Sequence, residues 1–290
     1  MGFYFFLKHR ESPSKKYLFL FFLSYTLSLF SKEMGVTLPA LLLLYDLLRK
    51  SPYQSTEAVT FSGPLQGFLS KIKEISKKYW AFYLTFFLIA LLFTVYKVVF
   101  KNPSHQEGFY GGTMASNFLT VLRIWVFYIK LLILPLSLNA AHSFPLSKSL
   151  FELRTILAIF ILLGLFALLI TLLKNKSRYS FCGFWFFITL LPVSQIFPHH
   201  ELLAEHYLYL PSFGFFLAIG LLSIDLLQRE GWRPFVYGCL MALLLLYSYQ
   251  TISRNFDWKN ELTLWTNAAK KSPDNLRAKI NLIAAYNSSG

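Results

Sequence analysis

The sequence has few charged residues and few cysteines. Only 14% of its 290 residues are charged, whereas 55% are apolar and 19% aromatic. A soluble protein of this length needs more polar side chains than this to cover its surface. The two cysteines, Cys182 and Cys239, both lie in apolar runs, so no disulfide framework is expected. This composition predicts an all-α membrane helix bundle whose main partner is the lipid bilayer.

Acidic residues are the scarcer of the two charged classes, with 14 against 28 basic residues. A formal charge of +14 is also found in proteins that bind nucleic acid. Here, however, the basic residues form short clusters between apolar runs, and not one face of a folded domain. Nucleic acid is therefore not an expected partner.

Long apolar runs divide the chain into about seven membrane spans, because a bilayer core needs ~20 apolar helical residues. The candidate runs are 17–30, 34–48, 79–100, 153–173, 181–197, 207–227 and 235–252. The first two flank the polar break Ser31-Lys32-Glu33, which favours a helical hairpin. The alternative, one long tilted helix, would bury Lys32 and Glu33 in the middle of the membrane.

The basic loops 8–16, 49–78, 174–178 and 229–233 are expected on the cytoplasmic side. A crossing by residues 117–138, which carry Arg123 and Lys130, would move the later basic loops to the other side. This stretch is therefore interpreted as an amphipathic or re-entrant element at the outer surface. The membrane domain is predicted to cover residues 1–253, and the tail 254–290 to lie outside.

The polar tail has the spacing of a tetratricopeptide repeat (TPR). The matching positions are Trp265, Ala268 and Pro273 in one helix, and Ala278, Asn281, Leu282 and Tyr286 in the next. An ordinary amphipathic helical hairpin is the alternative. Because the chain opens on an apolar stretch and stops within a repeat, it is expected to be a piece of a longer protein.

The densest polar cluster lies in the outer loop before residue 207 and contains His199, His200, Glu201, Glu205 and His206. A helical zinc site of the form H-E-x-x-H is excluded, because His206 follows His200 by six residues and faces another direction. A looser metal site is left as an alternative. Tyrosines such as Tyr207, which follow the acidic residue, would either shape a polar pocket or anchor the helix at the interface.

Further candidates are scattered along the chain. Lys32 and Glu33 would either neutralise each other or act together, with the lysine binding a phosphate. Arg123 would either hold an anionic head group or touch lipid phosphates. His142 lies in an outer loop.

Three motifs together resemble the transmembrane-and-TPR O-mannosyltransferases of the endoplasmic reticulum and their bacterial relatives. They are residues 31–39 (SKEMGVTLP) leading to 45–48 (YDLL), residues 204–212 (AEHYLYLPS), and the repeat-like tail. The resemblance implies the C-terminal part of a GT-C-type glycosyltransferase in the endoplasmic reticulum or bacterial inner membrane. It also implies a polyprenyl-phosphate-linked sugar as donor and a protein acceptor bound through the repeats. The site and the tail would share the lumenal or periplasmic face.

The resemblance also assigns roles to residues. Lys32 and Arg123 would bind the donor phosphate, Glu33 would orient Lys32, and Glu205 and Tyr207 would shape the donor pocket. His142 and His206 are further candidates, although His206 stands where the family has arginine, which puts a phosphate role there in doubt. The family's acidic catalytic motif would lie upstream. No catalytic residue is therefore assigned, and this chain alone is expected to be inactive; the need for a divalent metal is left open.

Two other functions fit a chain with many spans and a repeat-like tail. One is an O-antigen-ligase-like enzyme, which long outer loops rich in arginine and histidine would favour. The other is a non-catalytic, membrane-anchored repeat scaffold. An acidic pair after an upstream span would favour the transferase.

Overall fold

The computed structural model describes residues 1–48, 64–100, 108–136, 138–175, 177–196 and 201–289. Within these ranges the chain is helical and contains no strand, which confirms the all-α prediction. The helices are α1 (Gly2–Glu11), α2 (Lys15–Ser31), α3 (Leu38–Leu48), α4 (Pro64–Phe100), α5 (Met114–Ile133), α6 (Leu153–Lys174), α7 (Arg178–Leu190), α8 (Pro211–Leu227), α9 (Arg233–Asp257), α10 (Glu261–Lys271) and α11 (Leu276–Ser289).

Four helices in the described ranges are long and apolar enough to cross a membrane: Tyr79–Tyr96 within α4, and α5, α6 and α9. Shorter apolar helices cover Met34–Leu48, Arg178–Val193 and Pro211–Leu227. The chain is therefore a multi-pass membrane protein, and the count of about seven crossings stays a prediction. Of the four long helices, α5 is 56% buried inside the protein, against 17% or less for the others.

The chain folds as two compact units. The first comprises Met1–Glu107 and Leu165–Ile196, and the second comprises Gly108–Gly164 and Phe197–Gly290. The loop 49–78 was expected to be cytoplasmic, and its residues 49–63 lie outside the described part of the chain.

An aromatic core holds the first unit together. Phe21 and Tyr25 lie one helical turn apart on α2, so both side chains face the same neighbour. That neighbour is Phe86 of α4, whose ring centroid lies 5.0 Å from that of Phe21 and 4.0 Å from that of Tyr25. Phe6 of α1 adds a further buried ring to this cluster. Buried aromatic pairs of this kind stabilise beyond their area by about 0.5–1.5 kcal/mol each.

The polar break predicted after α2 is present. Lys32 adopts an extended backbone that ends α2, and a 3₁₀ turn over Glu33–Thr37 leads into α3. Gly35 lies so close to α2 that a Cβ atom there would come within 2.8 Å of Ser28 Oγ. The alternative of one continuous helix is therefore wrong, and the glycine of the 31–39 motif has a packing reason.

In the second unit, an extended stretch of residues 138–147, here called the bridging segment, runs back along α5. Ser147 N donates to Thr120 Oγ1 at 2.9 Å, and the ring of Phe144 packs 5.6 Å from that of Phe127. Residue 144 meets residue 127 of α5, and residue 147 meets the earlier residue 120. The segment and α5 therefore run antiparallel.

The tail of the second unit forms two short helices, α10 and α11, here called the tail hairpin. Asn260 caps α10 by accepting from Thr263 N at 2.8 Å, and residues 272–275 turn the chain into α11. A helix–turn–helix is what the repeat spacing requires, but two helices do not distinguish a TPR from an ordinary hairpin. The TPR assignment and the boundary at residue 254 therefore stay predictions.

Candidate functional site

A cavity of about 380 Å³ opens in the second unit. Its size falls within the range of small-molecule sites. Most of its wall is apolar, and a polar edge is formed by side chains from α9 and the 3₁₀ turn at Glu205. The lining residues are Leu131, Leu132, Pro135, Leu138, Glu205, Leu208, Tyr247, Gln250, Thr251, Arg254, Asn255 and Trp258.

Glu205 is the centre of this polar edge. Its Oε1 accepts from the backbone N–H of Asn139 and lies 2.9 Å from His142 Nε2. Its Oε2 lies 3.6 Å from the guanidinium of Arg254. Arg254 also pairs with Asp257, at 3.1 Å. The sequence-predicted residues Glu205 and His142 are therefore brought together.

The charge balance of this edge restricts what it can bind. Glu205 and Asp257 provide two carboxylates against the single guanidinium of Arg254. A phosphate placed here would meet a cation that is already neutralised. Neutral hydroxyl groups fit better, because carboxylates accept from them and a guanidinium donates to them.

The turn that carries Glu205 is fixed from α5. The hydroxyl of Tyr128 donates to the carbonyl of Ala204 and accepts from its N–H, both at 3.2 Å. Tyr207 is buried on the same turn and contacts the ring of His206, with centroids 4.6 Å apart. Neither Tyr207 nor His206 is among the residues that line the cavity, and the predicted role of Tyr207 in shaping the donor pocket stays a prediction.

Arg123 belongs to a different cluster of the second unit. Its guanidinium is buried, donates to Ser147 Oγ at 2.7 Å and lies 3.5 Å from Glu152. It also stacks over the ring of Phe144. Arg123 therefore fastens the bridging segment to α5, and its predicted role in phosphate binding stays a prediction.

Lys32 and Glu33 belong to the first unit. Lys32 is exposed at the end of α2, and Glu33 opens the following 3₁₀ turn. A pocket shared by Lys32 with Arg123 and Glu205 stays a prediction, because these residues lie in separate units.

The two histidines at 199 and 200 lie outside the described residues. Within the described part of the chain, no group of three histidine, cysteine or acidic side chains is placed to hold a metal ion. His206 lies 3.9 Å from Glu201, which also pairs with Arg277 of α11.

Sequence reasoning missed Arg254, Asn139 and the contact of the tail with the bridging segment. A signal existed for Arg254, because it is the last cation of an apolar helix and stands just before the tail. No comparable signal exists for Asn139, which acts through its backbone N–H and a side chain bonded to residue 272.

Curated proteins similar to this chain are protein O-mannosyl-transferases. Protein O-mannosyl-transferase Tmtc3 of Drosophila melanogaster is 32% identical over 113 residues, which are 38% of this chain and 12% of the relative. Protein O-mannosyl-transferase TMTC3 of Homo sapiens is 23% identical over 265 residues, 85% of this chain and 28% of the relative. Protein O-mannosyl-transferase F38B6.6 of Caenorhabditis elegans is 28% identical over 166 residues, 55% of this chain and 23% of the relative.

These homologues confirm the resemblance drawn from the motifs, at modest identity. The chain spans less than a third of the length of each of these relatives. No protein-family model and no solved structure matches it.

Proposed function

We propose that this chain is part of a membrane glycosyltransferase. It transfers a sugar, mannose or one like it, from a polyprenyl-phosphate donor to a protein hydroxyl on the extracytoplasmic face. The observation that carries the proposal is the apolar cavity edged by Glu205 and Arg254. The names of the similar proteins supply the reaction class, protein O-mannosylation.

The cavity suits a donor that is part sugar and part lipid. Glu205 and Arg254 hydrogen-bond the sugar hydroxyls, and the leucines of the wall contact the prenyl chain. The phosphate between them needs cations outside the Glu205 edge, because that edge carries more carboxylates than guanidinium groups. Lys32 and Arg123 remain the proposed cations.

Transfer requires that an acceptor hydroxyl loses its proton to a carboxylate base, which the resemblance places upstream of this chain. The hydroxyl oxygen then bonds to the anomeric carbon, while the bond from that carbon to the phosphate oxygen breaks. The departing polyprenyl phosphate carries the electron pair, and the cations stabilise its charge. The residues described here hold the donor and supply no proton transfer.

The test is donor binding, which does not require the upstream base. The full chain in lipid nanodiscs is titrated with mannosyl polyprenyl phosphate and with the same polyprenyl phosphate without sugar. Glu205→Gln and Arg254→Gln should each weaken binding of the sugar-bearing lipid about tenfold, because a hydrogen bond to a charged group contributes about 1.5–3 kcal/mol. Binding of the sugar-free lipid should stay within about twofold of the unsubstituted chain.

Arg233→Gln is the matched control, because Arg233 is an exposed arginine at the other end of α9. Unchanged binding of the sugar-bearing lipid by both site variants would contradict the proposal. Equal losses for both lipids would contradict the assignment of this edge to the sugar. A scaffold without catalytic function predicts no binding of either lipid above that of empty nanodiscs.

A further inference from the structure

We infer that the tail hairpin positions the Glu205–His142 pair by packing against the bridging segment and hydrogen-bonding to it. Ser272 and Asn275 act as positioning residues. The inference deepens the proposed function and rests on it for the role of Glu205. The repeat pattern alone would give the tail hairpin a role in acceptor binding, whereas this inference gives it a role in positioning the site.

Small side chains let the two parts approach closely. Ala141 of the bridging segment packs against Ala268 of α10 and Ala278 of α11. The three alanines are 6%, 1% and 0% exposed, so this contact is closed to solvent. Trp265 and Ala140 extend the same apolar contact.

Polar contacts fix the register of this packing. Ser272 Oγ accepts from Asn139 Nδ2 at 2.8 Å and from the backbone N–H of Ser143 at 3.1 Å. Asn275 Nδ2 donates to the carbonyl of His142 at 2.9 Å, and Lys271 Nζ donates to the carbonyl of residue 138, also at 2.9 Å. The tail hairpin thus bonds to the backbone or side chain of residues 138, 139, 142 and 143 of the segment.

The gripped residues are those that meet Glu205. Asn139 donates its backbone N–H to Glu205 while its side chain is held by Ser272. His142 places its ring 2.9 Å from Glu205 while its carbonyl is held by Asn275. The positions of Asn139 and His142, two of the three partners of the Glu205 carboxylate, therefore depend on the tail hairpin.

The packing of the bridging segment on the tail hairpin restricts where an acceptor polypeptide can bind. The face of the tail hairpin that holds residues 139–143 is already filled by the protein's own chain. An acceptor polypeptide must therefore use other surfaces, and this hairpin serves the site.

The test measures amide hydrogen exchange in the full chain carrying Ser272→Ala and Asn275→Asp together. Asp at 275 keeps the cap of α11, because a carboxylate accepts from Ala278 N as the Asn275 side chain does, but it cannot donate to the His142 carbonyl. Ser288→Ala is the control, since this exposed hydroxyl bonds only within α11.

The amides of Asn139 and Ser143 should exchange at least about tenfold faster in the double variant, because several hydrogen bonds of the segment are lost. The amide of Ser147 should keep its protection, because it is held by Thr120. Donor binding should fall about as far as in Glu205→Gln.

Unchanged exchange at Asn139 and Ser143 would overturn the inference. Loss of protection throughout α10 and α11 would also overturn it, because the two residues would then only hold the hairpin together. Faster exchange at Asn139 and Ser143 with unchanged donor binding would show that the tail hairpin holds the segment without positioning the site. This outcome would refute the inference as well. If the unsubstituted chain binds no donor, the proposed function fails, and the exchange result alone decides the inference.

Discussion

Asp46 is a buried acidic residue in an apolar stretch of the sequence. It lies within the apolar helix α3, is 8% exposed, and pairs with Arg10 of α1 at 2.5 Å. Tyr83 of α4 donates to the same carboxylate oxygen at 2.7 Å. The guanidinium of Arg10 stacks on Tyr79, 3.6 Å from the ring centroid. One buried ion pair therefore ties three helices of the first unit together.

We expect Asp46→Ala to lower the free energy of unfolding by about 3–5 kcal/mol, because it leaves the charge of Arg10 buried and uncompensated. The double variant Arg10→Met with Asp46→Leu should lose less, since it removes both charges and restores apolar packing. Thermal unfolding in detergent micelles measures both changes.

The exposed pair of Lys8 and Glu11 on α1 provides the control. Glu11→Ala should leave the unfolding temperature unchanged, because water and salt screen an exposed pair. A fall for Asp46→Ala no larger than that of Glu11→Ala would show that the buried pair does not stabilise the unit.

At the scale of elements, α5 raises the question of whether a long apolar helix must cross the membrane. It satisfies the length and composition of a span. Yet the extended bridging segment runs beside it, with Ser147 near the start of the helix and residue 138 near its end. If α5 crossed the membrane, an irregular polar backbone would have to cross beside it, which is tolerated only where protein or water surrounds it. The arrangement favours an α5 that lies at the outer surface.

Single cysteines at Met114 and Leu134 test this placement, because they flank α5 and are 69% and 48% exposed. Both should react with a membrane-impermeant maleimide added from the same side. Cysteines at Phe151 and Asn175, which flank α6, should react from opposite sides and provide the control. Reaction of the Met114 and Leu134 cysteines from opposite sides would mean that α5 is a span.

The sequence could predict those features in which a polar or charged residue stands within or beside an apolar run. A polar triplet between apolar runs predicted the break at Lys32, and a carboxylate at the mouth of a helix predicted Glu205. A carboxylate within an apolar run is a signal of the same kind, so Asp46 could have been found. The partners of these residues could not, because Ser272 meets Asn139 across 133 residues and no periodicity in a single sequence specifies such a pairing. The spacing around Arg123 indicates a cation on one helix face but not its hydrogen bond to Ser147, and its role in phosphate binding stays a prediction.

At the scale of the whole molecule, the contacts of the second unit require that three stretches of the chain share one side of the membrane. The bridging segment, the turn at Glu205 and the tail hairpin bond to one another directly. The charge pattern predicts that this side is extracytoplasmic. The contacts show that the three stretches meet, and the side on which they lie stays a prediction.

Cysteines placed at Lys148 and Ser288, both exposed, should therefore react with an impermeant reagent from the periplasmic or lumenal side. Cysteines at Asn175 and Glu230, also exposed, should react only from the cytoplasmic side. Reaction of the Lys148 and Ser288 cysteines from opposite sides would be incompatible with the hydrogen bonds between the bridging segment and the tail hairpin.

Those hydrogen bonds also require that the number of membrane crossings between these stretches is even. Between the bridging segment and Glu205 the chain must cross the membrane an even number of times, and the same holds between Glu205 and the tail hairpin. The 22-residue α6 is long and apolar enough to cross, and if it crosses, α7 must also cross to bring the chain back. Likewise, if the 25-residue α9 crosses, α8 must cross as well. Two helices that look too short for a bilayer of ~30 Å are thereby predicted to be spans, and the membrane would thin around them or neighbouring protein would shield them.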